Sequence, residues 1–284
     1  MPGPPESARP RHNSRVISLD PAGVVLVALL LVLYARAVRV LGRRGYRVPR
    51  GQRICWYAGV SLVAAGLIGP VDHLAEDLLT AHMAQHLLMA DLAAPFLLAG
   101  ARSPVLYFML PKPVLVRLAR RRRLRAAFRA LRRPLVALPI YVAILYTWHF
   151  AFAMDAALGS EWVHGIQHQT FVLGALLVWW PAIEPHRRPM PGELWKGGYI
   201  LGARVLAMFV GMGLLISRSP AYDYYVERGR SHGLTPLSDQ QLAGGLMLMV
   251  DVVVMVVALA YFFLRAGEAE DRRQRAERAA PVAS

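Results

Sequence analysis

Seven apolar stretches recur along this chain, at about residues 21–41, 54–70, 78–100, 134–153, 161–183, 197–217 and 241–264. A run of about 20 apolar residues carries a helix across the hydrocarbon core of a bilayer. In lipid every backbone N–H and C=O must be satisfied internally, which a helix does and an isolated strand does not. The sequence therefore predicts an all-α, polytopic membrane protein with a seven-helix transmembrane domain over 21–265. Composition agrees, with 56% hydrophobic residues and a mean hydropathy of +0.36. The polar, proline-rich segment 1–20 is expected to be disordered and makes a poor cleavable leader. The charged tail, 266–284, is expected to be a disordered cytoplasmic extension.

A formal charge of +15 would suit a nucleic-acid binder, but the basic residues fall between apolar spans, not in a separate polar domain. No nucleic-acid partner is expected. Lys and Arg instead gather in cytoplasmic loops. Twenty-six of them fall in the 1–2, 3–4 and 5–6 loops with their flanks and in the tail, against six on the opposite side. That asymmetry places the N-terminus outside and the C-terminus in the cytoplasm. The cytoplasmic loop 112–133 is arginine-rich. From Arg117 to Arg133 nine arginines interleave with Leu118, Leu124, Phe128 and Leu131, a pattern expected of an interfacial helix on anionic inner-leaflet lipids. Trp148, Trp162 and Trp195 fall near span ends, as interface anchors do.

Two histidine pairs, His82/His86 and His164/His168, sit inside apolar spans three and five. Ionisable side chains are costly in hydrocarbon and mark interior, functional positions. A spacing of four puts both imidazoles of a pair on one helical face. Both spans start outside, so the pairs lie at matching depths, about 6 and 12 Å and about 4 and 10 Å along their helices. His73, in the outer 2–3 loop, and His149, near the outer end of span four, fall on the same side. Such a set suits a metal ion or axial haem ligation, or hydrogen bonds between helices. Cys55 is the only cysteine, so soft-metal binding would fall to histidine and methionine. Met89 continues the His82/His86 face and suits Cu(I), with Met212 or Met247 as further thioethers.

Asp91, Arg204 and Asp251 lie deep in spans three, six and seven. Buried charges are normally paired, so Arg204 is expected to bridge either carboxylate in a structural ion pair, with a proton or ion relay as the alternative. No Gly-rich phosphate loop, HExxH or nucleophile elbow occurs, and a non-enzymatic protein is expected.

The segment AHMAQHLLMADLAAPFLLAG in span three resembles the signature of the CtaG-like cytochrome c oxidase assembly factors, seven-helix bacterial membrane proteins. Three further blocks agree in order: WHFAFAMDAAL at 148–158, VHGIQHQTFVLGALLVWWP at 163–181 and LTPLSDQQLAGGLMLMVD at 234–251. The resemblance covers about residues 55–264. It implies a multi-pass protein of the bacterial plasma membrane that helps mature a haem–copper oxidase by delivering or protecting copper at the outer face. A membrane subunit of that oxidase would be its partner. His82, His86, His149, His164 and His168 match those blocks, and His73 less closely. Asp239, in the DQQLAG block, is expected to cap the N-terminus of span seven. A b-type haem electron-transfer protein and a metal-free scaffold for oxidase assembly remain the alternatives.

Overall fold

The computed structural model describes residues 21–183, 192–226 and 232–279. Segment 1–20 with His12, as well as His186, Gly229 and residues 280–284, lie outside them. The order is α1 (Pro21–Arg43), α2 (Arg50–Leu67), α3 (Pro70–Ala75), α4 (Leu79–His86), a π-helical turn (Leu87–Leu92), α5 (Ala93–Gly100), α6 (Val105–Met109), α7 (Lys112–Arg120) and α8 (Arg122–Leu131). It continues with α9 (Pro134–His149), α10 (Ala151–Leu158), α11 (Glu161–Ile183), α12 (Glu193–Ile216), a 3-10 turn (Asp223–Tyr225) and α13 (Pro236–Ala279). The described residues contain no strand.

Four helical stretches are long and apolar enough to cross a membrane: Ala22–Arg43, Leu79–Gly100, Glu193–Ile216 and Pro236–Arg278. In the second of these, α4, the π turn and α5 run as one rod. The pair α9 and α10 adds a fifth if counted as one span bent by 72°. Helices α2 and α11, expected as spans two and five, are long enough but not among the apolar ones. Arg50 and Arg53 dilute α2, and His164, Gln167, His168 and Gln169 dilute α11.

Local chemistry explains several helix ends. α1 stops where Gly45 takes φ +79 and Tyr46 N–H reaches back to the Leu41 carbonyl at 3.0 Å, a glycine C-terminal cap. At the start of α13, Thr235 Oγ1 accepts the Ser238 N–H at 3.1 Å and Pro236 takes the first helical position. Between α9 and α10, Phe150 is extended, with ψ 139. The His149 carbonyl then accepts the Tyr222 hydroxyl at 3.0 Å.

Two segments differ from expectation. The arginine-rich loop is two short helices with no buried residue, broken at Arg121, where one continuous helix was expected. The tail continues α13 as helix through Ala279, because its alanines favour helix and its charges pair along one face. Arg265–Glu268 at 3.0 Å and Arg272–Glu268 at 3.6 Å are such i,i+3 and i,i+4 pairs.

The core falls into two clusters. One gathers α1, α2, α5 and α6 around the stacked rings of Tyr34 and Trp56, 4.6 Å apart. The larger one gathers residues of α4, α9, α11, α12 and α13. Within it α12 and α13 touch backbone to backbone: a Cβ added at Gly244 would lie 2.5 Å from the Gly211 carbonyl oxygen. The larger cluster holds the faces of α4 and α11 that carry the histidines.

Candidate metal centre

Helix α4 is fixed at its start by a residue far away in sequence. The Asp239 carboxylate accepts the N–H groups of Leu79 at 2.6 Å and Thr80 at 3.0 Å, and the Thr80 hydroxyl at 2.6 Å. Asp239 thus caps α4 and not its own helix, whose N-terminus Thr235 serves. The reason is positional. Asp239 lies within the first turn of α13 and its side chain leaves that helix sideways, into the orphan N–H groups and positive dipole end of α4. Gln85 steadies the next turn, donating to the Gly66 carbonyl at 2.9 Å and to Asp72 Oδ1 at 2.7 Å.

On this frame the two pairs meet. Ring centroids of His82 and His86 are 4.3 Å apart, and those of His164 and His168 are 4.1 Å apart. Across the helices, His82 faces His164 at 5.2 Å and His86 faces His168 at 5.1 Å. Ligand nitrogens of His82, His86 and His164 all lie within 4.8 Å of one another. A metal–nitrogen bond of about 2.0–2.1 Å puts tetrahedral donors about 3.3 Å apart. Small side-chain rotations close that difference.

The nitrogens are also short of partners. Nδ1 and Nε2 of both His82 and His86, and Nε2 of His149, His164 and His168, are buried without a hydrogen bond from the protein. Leaving one buried polar atom unpaired costs about 1–3 kcal/mol. Each imidazole can offer one nitrogen to a metal ion, and such donors fit a borderline or soft one.

The other candidates divide. His149 Nδ1 bonds the Leu145 carbonyl at 2.7 Å, and its ring lies 6.0 Å from Phe171, itself 4.6 Å from His86. His73 is on α3, and no ring contact or hydrogen bond joins it to the four rings among the described residues. Met89 packs on α2: a Cβ added at Gly66 would lie 3.4 Å from the Met89 Cβ. A straight α-helix would have kept Met89 in phase with His82 and His86, but the i→i+5 bonding of the π turn rotates it away. Met212 is 42% exposed, on the outside of α12. Met83 and Met247 instead line a small cavity together with His86 and His149. Met247 was among the thioethers expected, whereas Met83 was not. The signal that could have found Met83 is its i, i+3 spacing to His86 within α4, which puts the two side chains side by side on the helix.

Asp91, Arg204 and Asp251 form one cluster. Arg204 Nη1 lies 2.7 Å from Asp91 Oδ1 and 3.0 Å from Asp251 Oδ1, and Nη2 donates to the Tyr141 hydroxyl at 2.5 Å. Tyr141 was not anticipated, since a tyrosine in an apolar helix has no sequence signature of its own. Among the tryptophans, Trp162 is 85% exposed and Trp148 donates to Thr170 Oγ1 at 2.8 Å.

A family model described as cytochrome c oxidase caa3 assembly factor matches residues 32–268. No curated protein and no solved structure matches the chain.

Proposed function

The chain belongs to the cytochrome c oxidase caa3 assembly factor family, and from that premise we propose that it binds copper at the histidine quartet and hands it to a haem–copper oxidase subunit in the membrane. It acts as a carrier and not as an enzyme. The observation that carries this reading is the convergence of His82, His86, His164 and His168, each with at least one buried, unpartnered nitrogen. An ion held by several imidazoles and no thiolate can leave by stepwise ligand exchange, which delivery requires. Mutual ring spacings of 4.1–5.2 Å favour a single ion over haem b, since rings packed this way leave no slot for a macrocycle.

The proposal includes a topology. Seven crossings, with α2 and α11 as the two more polar ones, put the N-terminus outside and the C-terminus in the cytoplasm. The quartet then lies near the outer face of a bacterial plasma membrane, the side from which copper reaches an oxidase. The charge asymmetry of the loops supports this orientation.

Metal analysis of the purified protein tests the copper reading. Wild type is expected to carry about one copper per chain and the His82→Ala/His86→Ala variant none, at equal yield. Equal copper in both overturns it.

A further inference from the structure

Beside the quartet lies a second set of donors. A cavity one turn along α4 is lined by Met83, His86, Asp91, Tyr141, His149 and Met247, among others. The room for the centre of a water-sized sphere is ≈ 20 Å³, enough for one water or one ion. His149 is oriented toward ligation. Its Nδ1 lies against a carbonyl oxygen, which can only accept, so Nδ1 carries the hydrogen. The buried, unpartnered Nε2 therefore presents its lone pair, an arrangement common among metal-bound imidazoles. Two thioethers complete the wall, and both Met83 and Met247 are buried.

Asp91 also lines the cavity, where Arg204 holds it in one ion-pair cluster with Asp251. Two imidazoles and two thioethers together suit Cu(I).

We propose that this cavity is a second, deeper Cu(I) station. It shares His86 with the quartet, so that one ion moves from a nitrogen-only site to a mixed nitrogen–sulfur site as His86 turns. The inference rests on the copper reading of the quartet and adds a ligand set that the quartet lacks.

X-ray absorption at the copper edge tests it on the full chain in detergent, loaded anaerobically with one equivalent of Cu(I). A Cys55→Ser background leaves thioethers as the only sulfur donors. Sulfur is expected in the first shell of this parent. It is lost in Met83→Leu/Met247→Leu, a swap that keeps core volume, and Cu(I) affinity against a chelating competitor falls at least tenfold. His164→Ala/His168→Ala is expected to keep the sulfur shell. A nitrogen-only shell in the parent, or a sulfur shell that survives both methionine substitutions, overturns the deeper station alone. A parent that binds no Cu(I) overturns the quartet reading along with it.

Discussion

The carboxylate of Asp239 holds the backbone N–H of Leu79 at 2.6 Å, so that the first turn of α13 caps the helix carrying His82 and His86. Asp239 is 1% exposed and accepts three hydrogen bonds at the start of α4. Removing it strands two backbone donors, while the Thr80 hydroxyl keeps the Asp239 carbonyl at 2.9 Å. Asp239→Ala is expected to cost about 1–3 kcal/mol, and Asp239→Asn less, because one amide oxygen still accepts. Thermal unfolding in detergent measures the cost. The helix start lies three residues from His82, so bound metal should fall with it. An Asp239→Ala protein with unchanged melting would show that water caps α4 as well as the carboxylate does.

Arg204 makes a different kind of prediction, because it is 1% exposed and serves two carboxylates and a phenol. Breaking a buried pair from one side leaves uncompensated charge and costs about 3–5 kcal/mol. Arg204→Ala should therefore scarcely accumulate in membranes. Arg204→Lys should recover little, since one ammonium does not reproduce the forked contacts to Asp91, Asp251 and Tyr141. Membrane abundance by immunoblot decides, and wild-type levels of Arg204→Ala would sink the idea that the cluster locks α12 to its neighbours.

The contact between α12 and α13 can be probed by a pair of neighbouring glycines. A Cβ at Gly244 meets the Gly211 carbonyl at 2.5 Å, whereas one at Gly245 meets only Leu215 Cδ1 at 4.0 Å. Gly244→Ala should force the helices apart, at about 1–3 kcal/mol. Gly245→Ala should be neutral or stabilising, since alanine outranks glycine in a helix by about 1 kcal/mol. Equal melting temperatures for the two variants would refute the close approach.

How much of this was legible in the sequence depends on the range of the interaction. Helices at 21–43, 79–100 and 193–216 follow from apolar length alone, a local property. The i,i+4 spacing put each histidine pair on one face, and equal depth in two helices brought the pairs together. Met89 was lost because a π turn between Leu87 and Leu92 alters the helix phase without altering composition. The target of Asp239 was lost because capping rules describe a residue's own helix, while its partners Leu79 and Thr80 lie about 160 residues away in the chain. The helical tail was missed because the charges that argued against a buried face are the ones that pair along an exposed helix. The 72° bend at Phe150 has no proline or glycine to announce it.

Topology is tested with reporters. One fused after Ser284 is expected to be active only in the cytoplasm, and one inserted at Gly229 only outside. The opposite pattern would put the quartet at the inner face and remove the route by which it meets outer-face copper.

The decisive test of delivery is made in cells and read on the oxidase. His86 is shared between the quartet and the neighbouring cavity, and His168 faces it at 5.1 Å, so His86→Ala/His168→Ala removes the link between the two donor sets. Among the described residues His73 makes no ring contact or hydrogen bond with the quartet, and His73→Ala should slow loading at most. In the double variant the oxidase polypeptides should still reach the membrane, while oxidase-bound copper and oxidase activity fall severalfold. In His73→Ala both should stay near wild type. The measurement is copper per oxidase in membranes from each strain, normalised to oxidase subunit by immunoblot. Normal oxidase copper in the double variant would mean that the buried histidines serve the fold and that the metal reaches the oxidase by another route.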